Sequence, residues 1–234
     1  MGDNDSVRVD VIIPTRNEGE NIENLIHELK ELGYHNILII DAHSKDKTVE
    51  IAKKLGVKVV FQEGMGKGAA LRQAFAHKWV KSDIIVMMDA DGSMSAKEIP
   101  RFVRALCSGA DMVKGSRFLP SAYSEDLNLI RKIGNMVMLA MVNFFLGTSY
   151  TDLCYGFGAF NRNAMEKLAP RLESTNFEIE AEICIKAKKL GLTVVEVPSI
   201  ELRRNGGKSN LSTFGDGFRI LRSIMVEIIV PGLK

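Results

Sequence analysis

Short apolar runs and helical periodicities alternate along the first half of the chain. Val9 to Ile13 is mostly β-branched and closed by Pro14, which predicts a strand. Ile22, Leu25, Ile26 and Leu29 then recur at helical spacing as far as Leu32, and Gly33 ends that helix. Ile37 to Ile40 predicts a second buried strand ending at Asp41, and Ser44 to Thr48 leads into a helix through Leu55. Gly56 stops it, and Val57 to Phe61 makes a third strand. Gly64-Met-Gly-Lys-Gly opens a helix from about Ala69 to Trp79. Ile84 to Met88 is apolar at every position, the mark of a strand buried on both faces. Ser95-Ala-Lys-Glu98 has the spacing of a capping box, heading a helix to about Leu106, and Asp111 to Lys114 is a short strand.

This alternation predicts an α/β fold with a mostly parallel central sheet and helices on both faces. In the second half, Leu127 to Leu146 reads as a long helix, apolar on most faces, and Gly156 to Asn161 as a strand. Glu178 to Leu190 reads as a helix whose basic end, Lys186, Lys188 and Lys189, suits the helix dipole. Val194 to Val197 is a strand stopped by Pro198. A basic, glycine-containing loop is expected to be mobile over 203–212, and an apolar-faced helix covers 214–230. With no repeat, low-complexity tract or linker, residues 1–234 are expected to form a single domain, with residues 1–7 flexible.

Bulk numbers narrow the class. Of 234 residues, 46% are hydrophobic and 26% charged, enough for a substantial core. A net charge of +2 gives no electrostatic case for a nucleic-acid partner. Cys107, Cys154 and Cys184 are odd in number and lack metal-ligand spacing, as expected in a reducing compartment. The acidic start carries no apolar signal region. The longest apolar stretch, Met136 to Leu146, is interrupted by Asn143 and falls short of the roughly 20 residues of a spanning helix. No transmembrane segment is expected.

Candidate chemistry gathers where strands end. Asp89 and Asp91 follow the run Ile84–Met88, and open α/β sheets hold ligands beyond the carboxyl ends of their strands. Carboxylates this close repel unless a cation or hydrogen bonds compensate. Oxygen ligands suit Mg²⁺ or Mn²⁺ bound together with a diphosphate. The same Asp-Ala-Asp-Gly also suits an Asx-turn. Thr15-Arg-Asn-Glu18, Asp41 with Ser44 and Asp46, and Ser116-Arg117 fall at strand ends too, so adjacent parallel strands would line all four clusters along one edge. Gly66-Lys67-Gly68 resembles a phosphate-binding loop without its full spacing, and Lys67 and Arg72 are candidates for diphosphate contacts. Arg203, Arg204 and Lys208 beside two glycines suit a loop that closes over phosphates. The first strand is not followed by Gly-x-Gly-x-x-Gly, which counts against dinucleotide binding.

Val11-Ile-Ile-Pro-Thr-Arg-Asn-Glu18, Asp41-Ala-His-Ser-Lys-Asp-Lys-Thr48, Gly66-Lys-Gly-Ala-Ala-Leu-Arg72 and Asp89-Ala-Asp-Gly-Ser93 occur in this order. Together they resemble glycosyltransferase family two, with the GT-A fold. Gly115-Ser-Arg-Phe118, Arg131 to Asn135, Asp152 to Phe160, Phe177 to Glu182, Glu196-Val-Pro198 and Arg204 to Leu211 are similar to its polyprenyl-phosphate (dolichol-phosphate) mannose synthase branch. The likeness runs from Val9 to about Leu221.

The resemblance implies an inverting transfer of mannose or another hexose from a GDP- or UDP-sugar to a polyprenyl phosphate, with Mg²⁺ or Mn²⁺. It implies that Pro14, Thr15, Asn17, Glu18 and Asp41 hold base and ribose. Asp89 would face the ribose and metal side, and Asp91 would ligate the metal. Arg117, Arg131 and Asn135 would receive the acceptor phosphate, while Arg204, Lys208 and Ser209 lie on the loop over the donor diphosphate. Ser93 stands where family members often carry Gln, Ala42 replaces the second Asp of an Asp-Asp pair, and Asn210 stands where Lys is common. Residues 152–158 depart from the pattern as well, which leaves the sugar open.

A hydroxyl acceptor would require a base, for which Glu182 or Asp152 are candidates. A non-catalytic nucleotide-sugar-binding module is the rival from another class. The Leu127–Leu146 helix is either a core helix or one lying at the bilayer interface, with Arg131 and Lys132 at phosphate level. With a lipid acceptor, the expected location is cytoplasmic and peripheral on the cytoplasmic face of the membrane.

Overall fold

The structure, a computed structural model, describes residues 7–206 and 213–229. Lys208, Ser209 and Asn210, and residues 1–6, lie outside the described residues. The seven-stranded sheet has the order β3-β2-β1-β4-β7-β5-β8. Its strands are β1 (Val9–Thr15), β2 (Asn36–Asp41), β3 (Lys58–Phe61), β4 (Ile84–Met87), β5 (Met112–Ser116), β7 (Gly158–Asn161) and β8 (Val194–Pro198). Two short strands, β6 (Tyr123–Ser124) and β9 (Ile200–Glu201), pair in parallel beside it.

All sheet pairings are parallel except those of β7, which runs antiparallel between β4 and β5. Strand alternation splits the core into two layers. Val11 and Ile13 point to one face, with Ile26 of α1 (Ile22–Glu31), Ala52 of α2 (Thr48–Lys54) and Phe102 of α4 (Ile99–Cys107). Ile12 and Ile85 point to the other, under Leu71 of α3 (Lys67–Phe75), Val142 of α5 (Leu129–Leu146), Met165 of α6 (Arg162–Leu168), Ile183 of α7 (Ile179–Lys189) and Ile224 of α8 (Thr213–Ile229). The predicted α/β architecture with helices on both faces is the observed one.

Three local expectations are corrected. α3 stops at Phe75, not Trp79, because the His77 amide bonds back to the Ala74 carbonyl and the His77 imidazole takes the Trp79 amide. The capping box at Ser95 is half made: Ser95 Oγ accepts from Lys97 N, but Glu98 turns inward to Ser199 Oγ and Ile200 N. A short 3₁₀ turn, Ala96–Glu98, precedes α4 in consequence. α6, which the hydrophobic pattern does not predict, starts on an Asn161 cap that accepts from Ala164 N at 2.7 Å.

α5 continues through Asn143 as one helix of 18 residues, with mean hydropathy 1.4. It is long and apolar enough to cross a membrane by length and composition, a property the shorter apolar run does not predict. Asn135, Met138, Leu139 and Val142 tie one face into the domain, while Ile133, Met136, Val137, Phe144 and Phe145 are exposed.

Candidate functional site

The carboxyl ends of β1 and β4, the start of α3 and the chain segments before β7 and after β9 surround a cavity of about 720 Å³. That size suits a small-molecule site. Of the expected site residues, Pro14, Thr15, Glu18, Lys67, Asp89, Asp91, Arg117, Arg131, Asn135 and Arg204 line it together. Asn17, Asp41 and Arg72 do not. Asp41 sits behind the wall, fully buried, where it accepts from Thr15 Oγ1, Ser44 N and Ser44 Oγ at 2.6–2.9 Å. Asn17 takes up a left-handed conformation (φ 56°) and accepts from Lys45 N, tying the β1 exit to the β2 exit. Arg72 donates to the Glu173 carbonyl instead.

Asp91 is oriented from one side and charged from the other. Its Oδ1 accepts from Ser93 N at 3.0 Å and Ser93 Oγ at 2.6 Å, so the Asx-turn reading of this sequence is realised here. Its Oδ2 faces Arg204 Nη2 at 3.2 Å, and the same nitrogen donates to Glu18 Oε1 at 3.1 Å. The 202–205 segment is laced along this loop by Leu202 N to the Ser93 carbonyl and Asn205 N to the Asp91 carbonyl. Burial pushes the Glu18 carboxyl above the usual range, and Asp91 and Asp89 add to it against the pull of Asn21 and Arg204.

Asp89 is paired differently. Both its oxygens meet Lys67 Nζ, at 2.6 and 2.8 Å, and Lys67 also bonds Glu180 Oε1 at 2.7 Å. Burial pushes the Asp89 carboxyl up, and Asp91 and Glu180 reinforce that against Lys67. For Lys67 burial alone would lower the pKa, but the two carboxylates outweigh it and hold the ammonium charged.

The glycines around Lys67 serve packing rather than a phosphate cradle. A Cβ at Gly66 would stand 2.3 Å from the Thr175 carbonyl oxygen, and one at Gly68 2.5 Å from that of Ser174. Ala69 N in the first turn of α3 donates to Thr175 O at 3.0 Å. The phosphate-loop likeness therefore ends at the sequence: these glycines let residues 174–176 lie across the start of α3.

Across the cavity, Arg117 is buried and saturated. Nε and Nη2 form a fork on Asp152 at 2.7 and 3.0 Å, Nη1 meets both Glu201 oxygens at 3.1 Å, and Nη2 also donates to the Cys154 carbonyl. The guanidinium lies 4.8 Å from the centroid of the Tyr155 ring. This Arg117, expected to receive a phosphate, spends its donors on building the wall. Asn135 is 1% exposed and accepts from Leu153 N at 3.1 Å, which fixes its amide orientation. Its Nδ2 meets no acceptor among the described residues and belongs to a side chain lining the cavity. Arg131 reaches the same wall, with Asp126 at 3.6 Å.

Glu182 and Asp152, the candidate bases, do not line the cavity. Glu182 caps Glu173 N and Ser174 N and pairs with Lys186, and Asp152 holds Arg117. The sequence pattern does not single out Glu180 or Glu201: Glu180 lies two residues before the candidate base Glu182, and Glu201 lies on a two-residue strand without periodicity.

A model of glycosyl transferase family 2 matches residues 10–169, more than half of the 234-residue chain. The chain belongs to glycosyl transferase family 2. It is 32% identical to glycosyltransferase AglJ of Haloferax volcanii, over 88% of this chain and 67% of that one. It is 27% identical to a dolichyl-phosphate hexose transferase of the same organism, over 96% and 95% of the two chains. The crystal structure of glucosyl-3-phosphoglycerate synthase from Mycobacterium tuberculosis, with Mn²⁺ and uridine diphosphate, has a TM-score of 0.76 at 22% identity. The match covers 97% of this chain and 81% of that one, a likeness of fold. The expected GT-A glycosyltransferase is thus the observed one.

The synthase structure above holds Mn²⁺ together with uridine diphosphate, and the residues of this chain would fit such an ion. Among the described residues no group of three His, Cys, Asp or Glu side chains gathers to cage an ion. Mg²⁺ and its relatives need only one or two carboxylates when phosphates and water complete the shell. Asp91 meets that need: Ser93 fixes one oxygen, and the other already faces a cationic group. The hard oxygen donors suit Mg²⁺ or Mn²⁺.

Proposed function

We propose that this enzyme transfers a hexosyl group, with inversion, from a GDP- or UDP-hexose to a polyprenyl phosphate at a membrane surface. The observation that carries the reading is the course of α5. Ile130, Arg131, Gly134, Asn135 and Met138 line the cavity, while Ile133, Met136, Val137, Phe144 and Phe145 of the same helix are exposed and apolar. A helix that brings Arg131 and Asn135 to the cavity and leaves apolar side chains exposed outside it suits an acceptor with an anionic head and a hydrocarbon tail. The similarity to a dolichyl-phosphate hexose transferase supports the same acceptor class. The burial of Asn135, Met138, Leu139 and Val142 in the domain favours α5 lying on the membrane surface over α5 crossing it.

In the mechanism, Pro14, Thr15 and Glu18 receive the nucleoside end of the donor, with Asn17 and Asp41 supporting that loop from behind. Asp91, helped by Asp89, would hold the Mg²⁺ or Mn²⁺, which supplies positive charge to the departing diphosphate when bound. Arg204 changes partners from Glu18 and Asp91 to the diphosphate, joined by Lys208 and Ser209 of the same loop. Arg131 and the open Nδ2 donor of Asn135 take the acceptor phosphate, and Arg117 keeps that wall in place. An oxygen of this phosphate bonds to the anomeric carbon as the bond from that carbon to the diphosphate breaks. The nucleophile is already an anion, so no general base is required.

The test is a thermal-shift screen of nucleotide sugars with Mn²⁺, followed by turnover of the best binder with a polyprenyl phosphate in detergent. A bound donor raises the melting midpoint by mass action. Failure of every nucleotide sugar to shift it, transfer to water-soluble acceptors alone, or a product that keeps the donor's anomeric configuration overturns the proposal.

A further inference from the structure

The mechanism above assigns side chains to the diphosphate and to the acceptor phosphate and none to the sugar between them. Glu180 is 6% exposed and lines the cavity. Its Oε1 is held by Lys67 at 2.7 Å, and its Oε2 accepts no hydrogen bond from the described residues. Phe177, at the head of α7, is half-buried on the same wall, its ring centroid 5.9 Å from Lys67 Nζ. The floor is backbone: a Cβ at Gly156 would stand 2.5 Å from Lys67 Nζ, 2.9 Å from Glu180 Oε1 and 3.0 Å from Asp89 Oδ2. Two residues earlier, the Cys154 carbonyl takes a bond from Arg117 Nη2, so this wall links the acceptor side to Asp89.

A hexose presents an apolar C–H face and an edge of hydroxyl donors. An aromatic face beside a fixed carboxylate with an open oxygen complements both, in a cavity where most polar atoms already have partners. We propose that Phe177 and Glu180 form the subsite for the hexosyl group being transferred. Glu180 Oε2 accepts from a ring hydroxyl, Phe177 covers the C–H face, and Lys67 holds the Glu180 carboxylate at the required angle. The inference rests on the nucleotide-hexose reading of the donor and adds the residues that read its sugar.

Calorimetric titrations with Mn²⁺ test it, using UDP, GDP, UDP-glucose, GDP-mannose and the deoxy analogues of whichever nucleotide hexose binds. Glu180→Gln and Phe177→Ala are expected to bind the bare diphosphate within about twofold of wild type and the nucleotide hexose about tenfold more weakly. A deoxy analogue lacking the hydroxyl that meets Glu180 is expected to lose about tenfold against wild type and nothing further against Glu180→Gln. Equal losses on diphosphate and nucleotide hexose in both variants, or additive losses at every ring position, overturn the subsite. Wild type that binds diphosphate and nucleotide hexose equally overturns it too, leaving the nucleotide site standing. Wild type that binds neither overturns the donor reading and the subsite with it. Phe177 is only half-buried, so its variant carries the test should Glu180→Gln prove unstable.

Discussion

Arg204 Nη2 lies 3.1 Å from Glu18 Oε1 and 3.2 Å from Asp91 Oδ2. One guanidinium therefore bridges the loops that leave β1 and β4, on the carboxylate proposed to hold the metal. Without a donor, a divalent ion at Asp91 competes with this internal cation. Arg204→Ala should bind Mn²⁺ more tightly than wild type in the absence of nucleotide, by about three- to tenfold, and turn over more slowly. Electron paramagnetic resonance titration of Mn²⁺ measures the first effect. Unchanged or weaker Mn²⁺ binding would show that the bridge does not oppose the ion.

Arg117 is a structural centre as much as a cavity wall. Removing it strands Asp152, which is fully buried, beside Glu201. Loss of one partner from a buried pair costs about 3–5 kcal/mol. For a chain of this length, Arg117→Ala should lower the melting temperature by about 10 °C. Arg117→Lys should recover only part of that, since an ammonium cannot reproduce the fork on Asp152. Differential scanning calorimetry decides; a shift under about 2 °C in both variants would exclude this role.

Burial should set the reactivity of the three cysteines apart. Burial pushes the Cys154 thiol up to about 12 and the Cys184 thiol up to about 11, while Cys107 is exposed. At pH 8 roughly one Cys154 in ten thousand is thiolate, so Cys107 alone should be labelled by iodoacetamide. Labelling of Cys154 should rise about tenfold per pH unit while the fold persists. The folded chain holds this proton more tightly than the unfolded one. The linkage thus favours folding below pH 9 and loses that contribution as pH climbs towards 12. Mass spectrometry of peptides labelled at pH 7–10 checks the order; rapid modification of Cys154 at pH 7 would contradict it.

Phe144 is 82% exposed and packs edge-on against Phe145, with ring centroids 5.1 Å apart. Inserting such a ring into a bilayer is worth about 1.5–3 kcal/mol, roughly a tenfold or greater change in partition. Phe144→Glu should weaken sedimentation with phosphatidylcholine vesicles by that factor and leave the melting temperature nearly unchanged. Vesicle binding equal to wild type would remove α5 from the membrane surface.

Much of this was legible in the chain because strands and helices announce themselves by period, and because Pro14, Gly33 and Gly56 punctuate them. Asp89 and Asp91 were legible as a pair at a strand end. What the pattern could not supply was the partner of each charge. Lys67 looks like a phosphate ligand beside its glycines, yet those glycines make room for residues 174–176 and its ammonium bonds Asp89 and Glu180. Arg117 looks like a ligand for phosphate until Asp152 and Glu201, 35 and 84 positions away, are seen to occupy it. Asp41 and Asn17 sit at the expected strand ends but knit two loops together behind the cavity wall. Such long-range pairings depend on sheet order, and no local periodicity encodes the insertion of β7 between β4 and β5.

That insertion also bears on how the protein is made. β4 has β1 on one side, and its other neighbour, β7, is translated more than seventy residues later, at Gly158–Asn161. Until then the emerging chain carries an open strand edge made of Ile84, Ile85, Val86 and Met87, apolar and unpaired on its outer side. The nascent protein is therefore most prone to self-association while between about 90 and 160 residues have emerged, and a ribosome stalled in that interval would release a sticky fragment.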